Sequence, residues 1–467
     1  MNMKKRLLAI ALLPPLLVVA ACGGGGKGTT SGASQSPGNL AAQCPVGAVD
    51  KAADKPVQIT MWHSMTRANQ DTLQQLTDQF NASQTAIHVA LVNQTSYEDT
   101  LTKFKAALGG GDLPDLVQIQ DVDQQLVIDS RALLPAQACI DAEHVDQSTI
   151  LPRIKSYYTV QGVQWAMPFS VSNPILYFNK KAFVKAGLDP NNPPTTLDEL
   201  RAASQKIVDS GAAKYGLALK EDPWYFEEWM AMAGETYADH GNGREGRATK
   251  VQFDGQQGQA IAQWISGMAK DQLAEGVDRG GFDNLLALGN NVAAMTMDTS
   301  AALGTITQVL GSGQYPDVEL GAATLPGPPG GGGTVVAGSA LYLVNKSAPE
   351  RQEASFEFAT FLASAQSQST WAAGTGYIPI RTDAATLEPI STTWAQNPLY
   401  RIAFDQLQRG TDNAASAGPV IGAMEPVRDA VVNAEQSIFQ GSDPTAALNG
   451  AAATANAAIT DYESRLG

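Results

Sequence analysis

Trp62-His63-Ser64 sets an indole, an imidazole and a hydroxyl directly after the apolar run Val57–Met61 and before a helical pattern. At the end of a strand such side chains can hold a polar ligand or serve as base and nucleophile. The rest of the chain gives catalysis little support. His63, His88, His144 and His240 are scattered, with no pair at the spacing that puts two imidazoles on one metal. Neither a Gly-x-Ser-x-Gly elbow nor a Walker loop occurs. Gly241-Asn242-Gly243-Arg244-Glu245-Gly246 matches Gly-x-Gly-x-x-Gly, but it follows the polar "ETYADH" and opens no helix, so it reads as a turn. The 46 acidic residues offer many carboxylate pairs and single out none. Aromatics at segment ends are more informative. Trp165, Trp224, Trp229, Tyr97 and Tyr377 sit beside Gly, Pro, Ser or acidic neighbours. Trp165 and Trp229 read as core, whereas Tyr377 in "GTGYIP" lies in a loop that presents its ring to a ligand.

These residues need elements to carry them. Val57–Met61 reads as a strand, and Thr66 to Asn81 as a helix with Leu73, Leu76 and Phe80 on one face. Ile87–Val92, the helix Glu98–Leu108 and the strand Asp115–Gln120 follow, giving the order β-α-β-α-β of a parallel sheet covered by helices. The pattern restarts after Pro168 with a strand at Ile175–Asn179, a short helix from Lys180 to Ala186, and a capping box at Thr196–Glu199. A strand at Tyr215–Leu219 comes next. Thr324–Thr334 reads as a surface loop, Val335–Val344 as a strand, and the chain beyond Glu350 as mostly helical. Two α/β units in 467 residues imply two lobes. Ligands of open α/β sheets sit outside the carboxyl ends of strands, where both Trp62-His63-Ser64 and Asp121 fall.

Lys4-Lys5-Arg6 precede an apolar segment broken by Pro14-Pro15 and ending in Val19-Ala20-Ala21-Cys22. Small residues before a lone cysteine resemble the lipobox of bacterial lipoproteins. This implies a signal peptide over 1–21, lipidation of Cys22 and a flexible, lipid-anchored tether over 22–55. With Cys22 acylated, Cys44 and Cys139 remain as an even pair in an oxidising compartment, and a disulfide between them is expected. No other run of 18 or more apolar residues occurs, so the body is expected to be soluble. A net charge of −15 disfavours nucleic acid and anionic lipid surfaces as partners.

Several stretches together resemble an extracellular solute-binding protein of an ABC importer, from the group that takes up sugars and sugar-like compounds. "ITMWHSM" with "LTDQFNAS", then "YED", "MPFSVSNPILYFNKKAFVKAGLDPNNPPTTLDEL", "AAMTM", "GTGYIPIR" and "EPVRDAV" more narrowly resemble its glycerol-3-phosphate-binding branch. The likeness spans about residues 56 to 440. It implies an α/β, two-lobed periplasmic-binding-protein-like (type II) fold with a hinge and an interlobe cleft. The lobes are expected at 56–165 with 295–343, and at 166–294 with 344–467. Carried over by position, the ligand-binding residues are Tyr97, Asp121, Ser172, Trp224, Ser300, Gly338, Tyr377 and Arg428. Glutamate is common at the position of Asp121 in the family, so the shorter side chain implies a larger ligand or a bridging water. The "DTSA" run departs from the family's pattern, which makes Thr299 an alternative to Ser300. Trp62 and His63 belong to the fingerprint and are further candidates for ligand contact.

The expected function is capture of a glycerophosphodiester such as glycerophosphocholine, or of glycerol 3-phosphate, for delivery to ABC permease subunits. The expected protein is an extracytoplasmic monomer, attached to the membrane through its lipid alone, without enzymatic activity, cofactor or metal. A buried phosphoryl group needs charge-assisted donors, which Arg428 and hydroxyls can supply. Aromatic faces attract a quaternary ammonium. A neutral oligosaccharide binder, with Arg428 structural, is the alternative within the class. A secreted phosphodiester hydrolase and a purely structural lipoprotein are the readings outside it.

Overall fold

The structure is a computed structural model and describes residues 40–466. The signal segment, Cys22 and the first part of the expected tether lie outside the described residues.

Val57–His63 alternates in burial, with Val57, Ile59, Met61 and His63 turned to the core. It pairs in parallel with Ile87–Asn93 on one side and Leu116–Gln120 on the other. Ala337–Val344 continues this sheet antiparallel to Leu116–Gln120 and in turn pairs with Leu133–Leu134 and Met167–Ser172. The helix Arg67–Ser83 buries Leu73, Leu76 and Phe80. Tyr97–Leu108 is opened by Ser96, whose hydroxyl accepts the Asp99 amide at 3.0 Å. In the second sheet the order is Ala274–Val277, Tyr215–Lys220, Ala293–Thr299, Pro174–Asn179, Leu320–Thr324. Its first three strands are parallel, and Pro174–Asn179 is antiparallel to both neighbours. Each sheet is therefore mixed rather than purely parallel, because strands that arrive from the opposite lobe run the other way. The capping box of Thr196 and Glu199 is formed. Among the described residues no helix is long and apolar enough to cross a membrane.

The chain changes lobes at points the expected boundaries miss. Met167–Ser172 belongs to the first sheet and Pro174–Asn179 to the second, so the crossing is Asn173 alone. Both strands are buried throughout, and only the short polar step Ser172-Asn173-Pro174 separates them in sequence. Asn173 joins the crossings: its carbonyl accepts the Ser300 amide at 2.9 Å, and its carboxamide donates to the Val335 carbonyl at 2.6 Å. Ala293–Thr299 and Leu320–Thr324, expected largely in the first lobe, lie in the second sheet. Pro349–Leu362 and Ala365–Thr375, expected in the second lobe, pack on the first, with Phe356 and Trp371 in its core. Met424–Phe439 and Pro444–Ser464 pack together with Gln256–Lys270 on the second.

Two loop readings are also corrected. Residues 325–328 of the expected surface loop are buried as a connector between the lobes, and the following strand starts at Ala337. Residues 40–55 are folded, not free tether. Leu40, Cys44 and Val49 are buried, and the Glu353 carboxylate accepts the Gly47 and Val49 amides at the start of the short helix Ala48–Lys51. Cys44 is bonded to Cys139.

Candidate functional site

A cleft of about 310 Å³ opens between the two sheets. The first lobe brings Tyr97 from the start of its helix, Gln120 and Asp121 from the end of Leu116–Gln120, Ser172 beside the crossing, and Tyr377. Ala337 and Gly338, where the chain re-enters the first sheet, complete this wall. The second lobe brings Lys220 and Asp298 from strand ends, Thr299, Asp222 and Trp224 at a helix start, and Arg428. A smaller hollow of about 90 Å³ between Arg67, Phe282 and Ile306 is almost wholly apolar and carries no comparable set of polar groups.

Local structure explains several positions. Gly376 ends Ala365–Thr375 at φ 93°, and the turn it permits swings Tyr377 to the cleft, its ring stacked on Trp371 at 5.2 Å. Gly338 has φ 111°, and a Cβ there would meet the Ser170 carbonyl at 2.0 Å. Its amide donates to Asp121 Oδ1 at 3.1 Å, so this expected ligand donor is spent on positioning the carboxylate. The Tyr157 hydroxyl donates to the other oxygen of Asp121 at 2.9 Å. Burial pushes the Asp121 carboxyl up to about 6, opposed by Arg428 and these donors. Burial also raises the phenols of Tyr97 and Tyr377, so both enter as neutral hydroxyls.

Arg428 is not a free cation. Its Nε and Nη2 donate to both oxygens of Glu227 at 2.8 and 2.6 Å. Burial pushes the Glu227 carboxyl up and the guanidinium pulls it down. At this bidentate geometry the pair is ionised, and Arg428 stays charged far above any working pH. Lys220 is likewise 3.3 Å from Asp298. Asp222 spends one oxygen on the Trp224 amide at 3.1 Å. Counting Asp121, Asp222, Asp298 and Glu227 against Lys220 and Arg428, carboxylates exceed cations by two.

Seven of the eight expected binding positions line this cleft: Tyr97, Asp121, Ser172, Trp224, Gly338, Tyr377 and Arg428. Ser300 does not; its hydroxyl is buried without a hydrogen-bond partner, and Thr299 stands in the wall instead. Trp62 and His63 also lie outside the lining. His63 shares the inward face of its strand with Val57, Ile59 and Met61, accepts the Met65 amide at 3.2 Å, and is held neutral by burial, which lowers it to about 4. Trp62 packs against the core of the first lobe. Lys220, Asp222, Asp298 and Gln120 were missed. The strand-end rule that singled out Asp121 applies equally to Lys220 and Asp298. The Gly-x-Gly-x-x-Gly match at 241–246 belongs to a turn in which His240, Gly241 and Asn242 are left-handed, and Trp229 is core.

The lobes also meet outside the cleft. Asp129, on the first-lobe helix Gln124–Asp129, accepts Nη1 and Nη2 of Arg247 at 3.0 and 2.8 Å. Tyr462 donates to the same carboxylate at 2.8 Å, and Glu463 holds the other side of Arg247. Arg244 reaches the Tyr157 carbonyl at 3.2 Å and lies 5.1 Å over its ring.

Two lobes joined by crossings at a shared knot, with a polar and aromatic cleft between them, define a receptor that encloses a small solute. The chain belongs to the bacterial extracellular solute-binding proteins, whose family model matches residues 75–401. Over 415 residues it is 29% identical to the sn-glycerol-3-phosphate-binding periplasmic protein UgpB of Rhizobium meliloti, covering 87% of this chain and 95% of that one. The UgpB of Brucella melitensis is 28% identical over 411 residues, 86% and 93% of the two chains. Among solved structures, UgpB from Mycobacterium tuberculosis in complex with glycerophosphocholine aligns with a TM-score of 0.72 at 21% identity, over 87% of this chain and 99% of that one. The acarbose-binding GacH receptor of Streptomyces glaucescens aligns at 0.72 and 20%, over 86% and 98%. At such identities the structural likeness establishes the fold.

Proposed function

We propose that this protein is the capture subunit of an ABC importer and encloses a phosphorylated glycerol, a glycerophosphodiester such as glycerophosphocholine or glycerol 3-phosphate. Convergence of Tyr97, Asp121, Tyr377 and Arg428 on one cleft, with Trp224 opposite, carries this reading. In this assignment Asp121 accepts glycerol hydroxyls, Trp224 covers an apolar or cationic face, and the tyrosines with Arg428 Nη1 meet the phosphoryl oxygens. A ligand touching both walls favours the closed arrangement of the lobes over the open one. The protein acts without chemistry on its ligand, as a monomer held outside the membrane by lipid on Cys22, and hands the ligand to permease subunits. The UgpB relatives are named for glycerol 3-phosphate, which supports the ligand class.

A second reading, a neutral oligosaccharide, is favoured by the neutralisation of Lys220 and Arg428 by Asp298 and Glu227. Calorimetry with glycerophosphocholine, glycerol 3-phosphate, maltose and trehalose separates the two. Saturable one-to-one binding of a phosphorylated glycerol is expected; binding of the sugars alone overturns the assignment. Release of choline over many turnovers would make the protein a hydrolase instead.

A further inference from the structure

Trp62-His63-Ser64 lies outside the cleft, yet it touches a buried polar network that ends there. Gln118, Ser170 and Ser339 are all fully buried. The Gln118 carbonyl oxygen accepts the Ser64 amide at 3.0 Å. Its amide nitrogen must therefore face the other way, where it donates to Ser339 Oγ at 2.8 Å and Ser170 Oγ at 3.1 Å. Ser339 Oγ in turn accepts the Tyr97 hydroxyl at 3.3 Å, and Tyr97 lies 3.3 Å from the Tyr377 hydroxyl in the cleft wall.

This arrangement fixes which way protons point. Gln118 occupies one lone pair of Ser339 permanently, because the Ser64 backbone forbids a flip of the carboxamide. Without ligand, Tyr97 donates to Ser339. When an anionic oxygen takes the Tyr97 proton as a hydrogen bond, Ser339 can rotate and donate to Tyr97 in return. The phenolic oxygen then keeps a partner while its hydrogen serves the ligand. We propose that Gln118 and Ser339 are positioning residues that keep Tyr97 available as a donor to an anionic ligand oxygen, with Ser64 setting the orientation of Gln118. The inference rests on a phosphorylated ligand occupying the cleft.

A double-mutant cycle tests it, read by calorimetry with glycerophosphocholine and glycerol 3-phosphate on the full chain. Removing a hydrogen bond that serves a charged group is expected to weaken binding on the order of 10-fold in Ser339→Ala. Ser339→Thr, which keeps the hydroxyl, restores most of that loss. Tyr97→Phe weakens binding comparably, and Tyr97→Phe with Ser339→Ala weakens it no further, because the serine acts through the tyrosine. Additive losses, or an unchanged dissociation constant in Ser339→Ala, overturn the inference while leaving the ligand assignment intact. Failure of the unmutated protein to bind either compound overturns both. If Ser339→Ala does not fold, Ser339→Cys, a weaker donor of similar size, completes the same cycle.

Discussion

Replacing Asp129 by asparagine removes a charge from the clasp between the lobes without touching the ligand cleft. Asp129 accepts two hydrogen bonds from Arg247 and one from Tyr462, all between 2.8 and 3.0 Å, and the two donors belong to the opposite lobe. Hydrogen bonds to charged groups contribute about 1.5–3 kcal/mol each when well formed. Arg247 retains 33% side-chain exposure and Glu463 as a second partner, so solvent and that carboxylate compensate much of the loss. Because the clasp spans both lobes we assign it to the closed form; a net penalty of about 2 kcal/mol on that form is then expected, which shifts the closed-to-open ratio about 30-fold. Ligand that binds only the closed form is then weakened by up to the same factor. Small-angle scattering should show a larger radius of gyration without ligand, returning to the closed value at saturation. Calorimetry should show the affinity loss, with the melting temperature of each lobe little changed. Equal affinity and superimposable scattering curves for Asp129→Asn and the unmutated protein would refute a role for the clasp in closure.

Other expectations follow from the cleft and its supports. Ligand binding through ionised Asp121 should weaken about tenfold between pH 7 and pH 5, because its carboxyl titrates at about 6. The stability effect has the opposite sign: the folded value lies above the ordinary one, so ionising Asp121 costs stability as the pH rises from about 4 through 6, and melting curves with and without ligand should diverge accordingly. Arg428→Ala should abolish binding and also destabilise the fold by about 3–5 kcal/mol, since Glu227 is left buried and unpaired. Urea titration should find most of that stability restored in Arg428→Met with Glu227→Gln, while calorimetry finds binding still absent. Replacing Cys44 and Cys139 by alanine should cost up to about 4.7 kcal/mol by loop-closure entropy over the separation of 95 residues, measured by denaturant unfolding; no change would show that residues 40–55 do not need the bond.

Much of the first lobe was legible because its patterns are local. Leu73, Leu76 and Phe80 mark their helix at spacings of three and four, and in the second lobe the Thr196–Glu199 capping box likewise marks a helix start. The burial of His63 was also readable in principle: from Val57 to His63 every second residue faces inward, so the imidazole inherits the core side of the strand. The lobe switch at Asn173 left only a local trace, since Ser172-Asn173-Pro174 breaks the two buried strands but does not say which sheet each strand joins. The fate of residues 40–43 was not readable, because their polar and small neighbours resemble a linker until Leu40 finds its place in the core.

The cleft divides along the same line. The sequence by itself marked the β-α-β-α-β order that opens the first lobe, Asp121 at a strand end and the loop that presents Tyr377, while the family resemblance supplied Arg428. Only the tertiary structure decided the charge those residues offer, because Arg428 meets Glu227 across 201 residues and Lys220 meets Asp298 from a neighbouring strand. Hydrophobic periodicity repeats within a few residues and can be read along the chain. Electrostatic pairing depends on distance in space, and the fold alone brings those carboxylates within 4 Å of their cations.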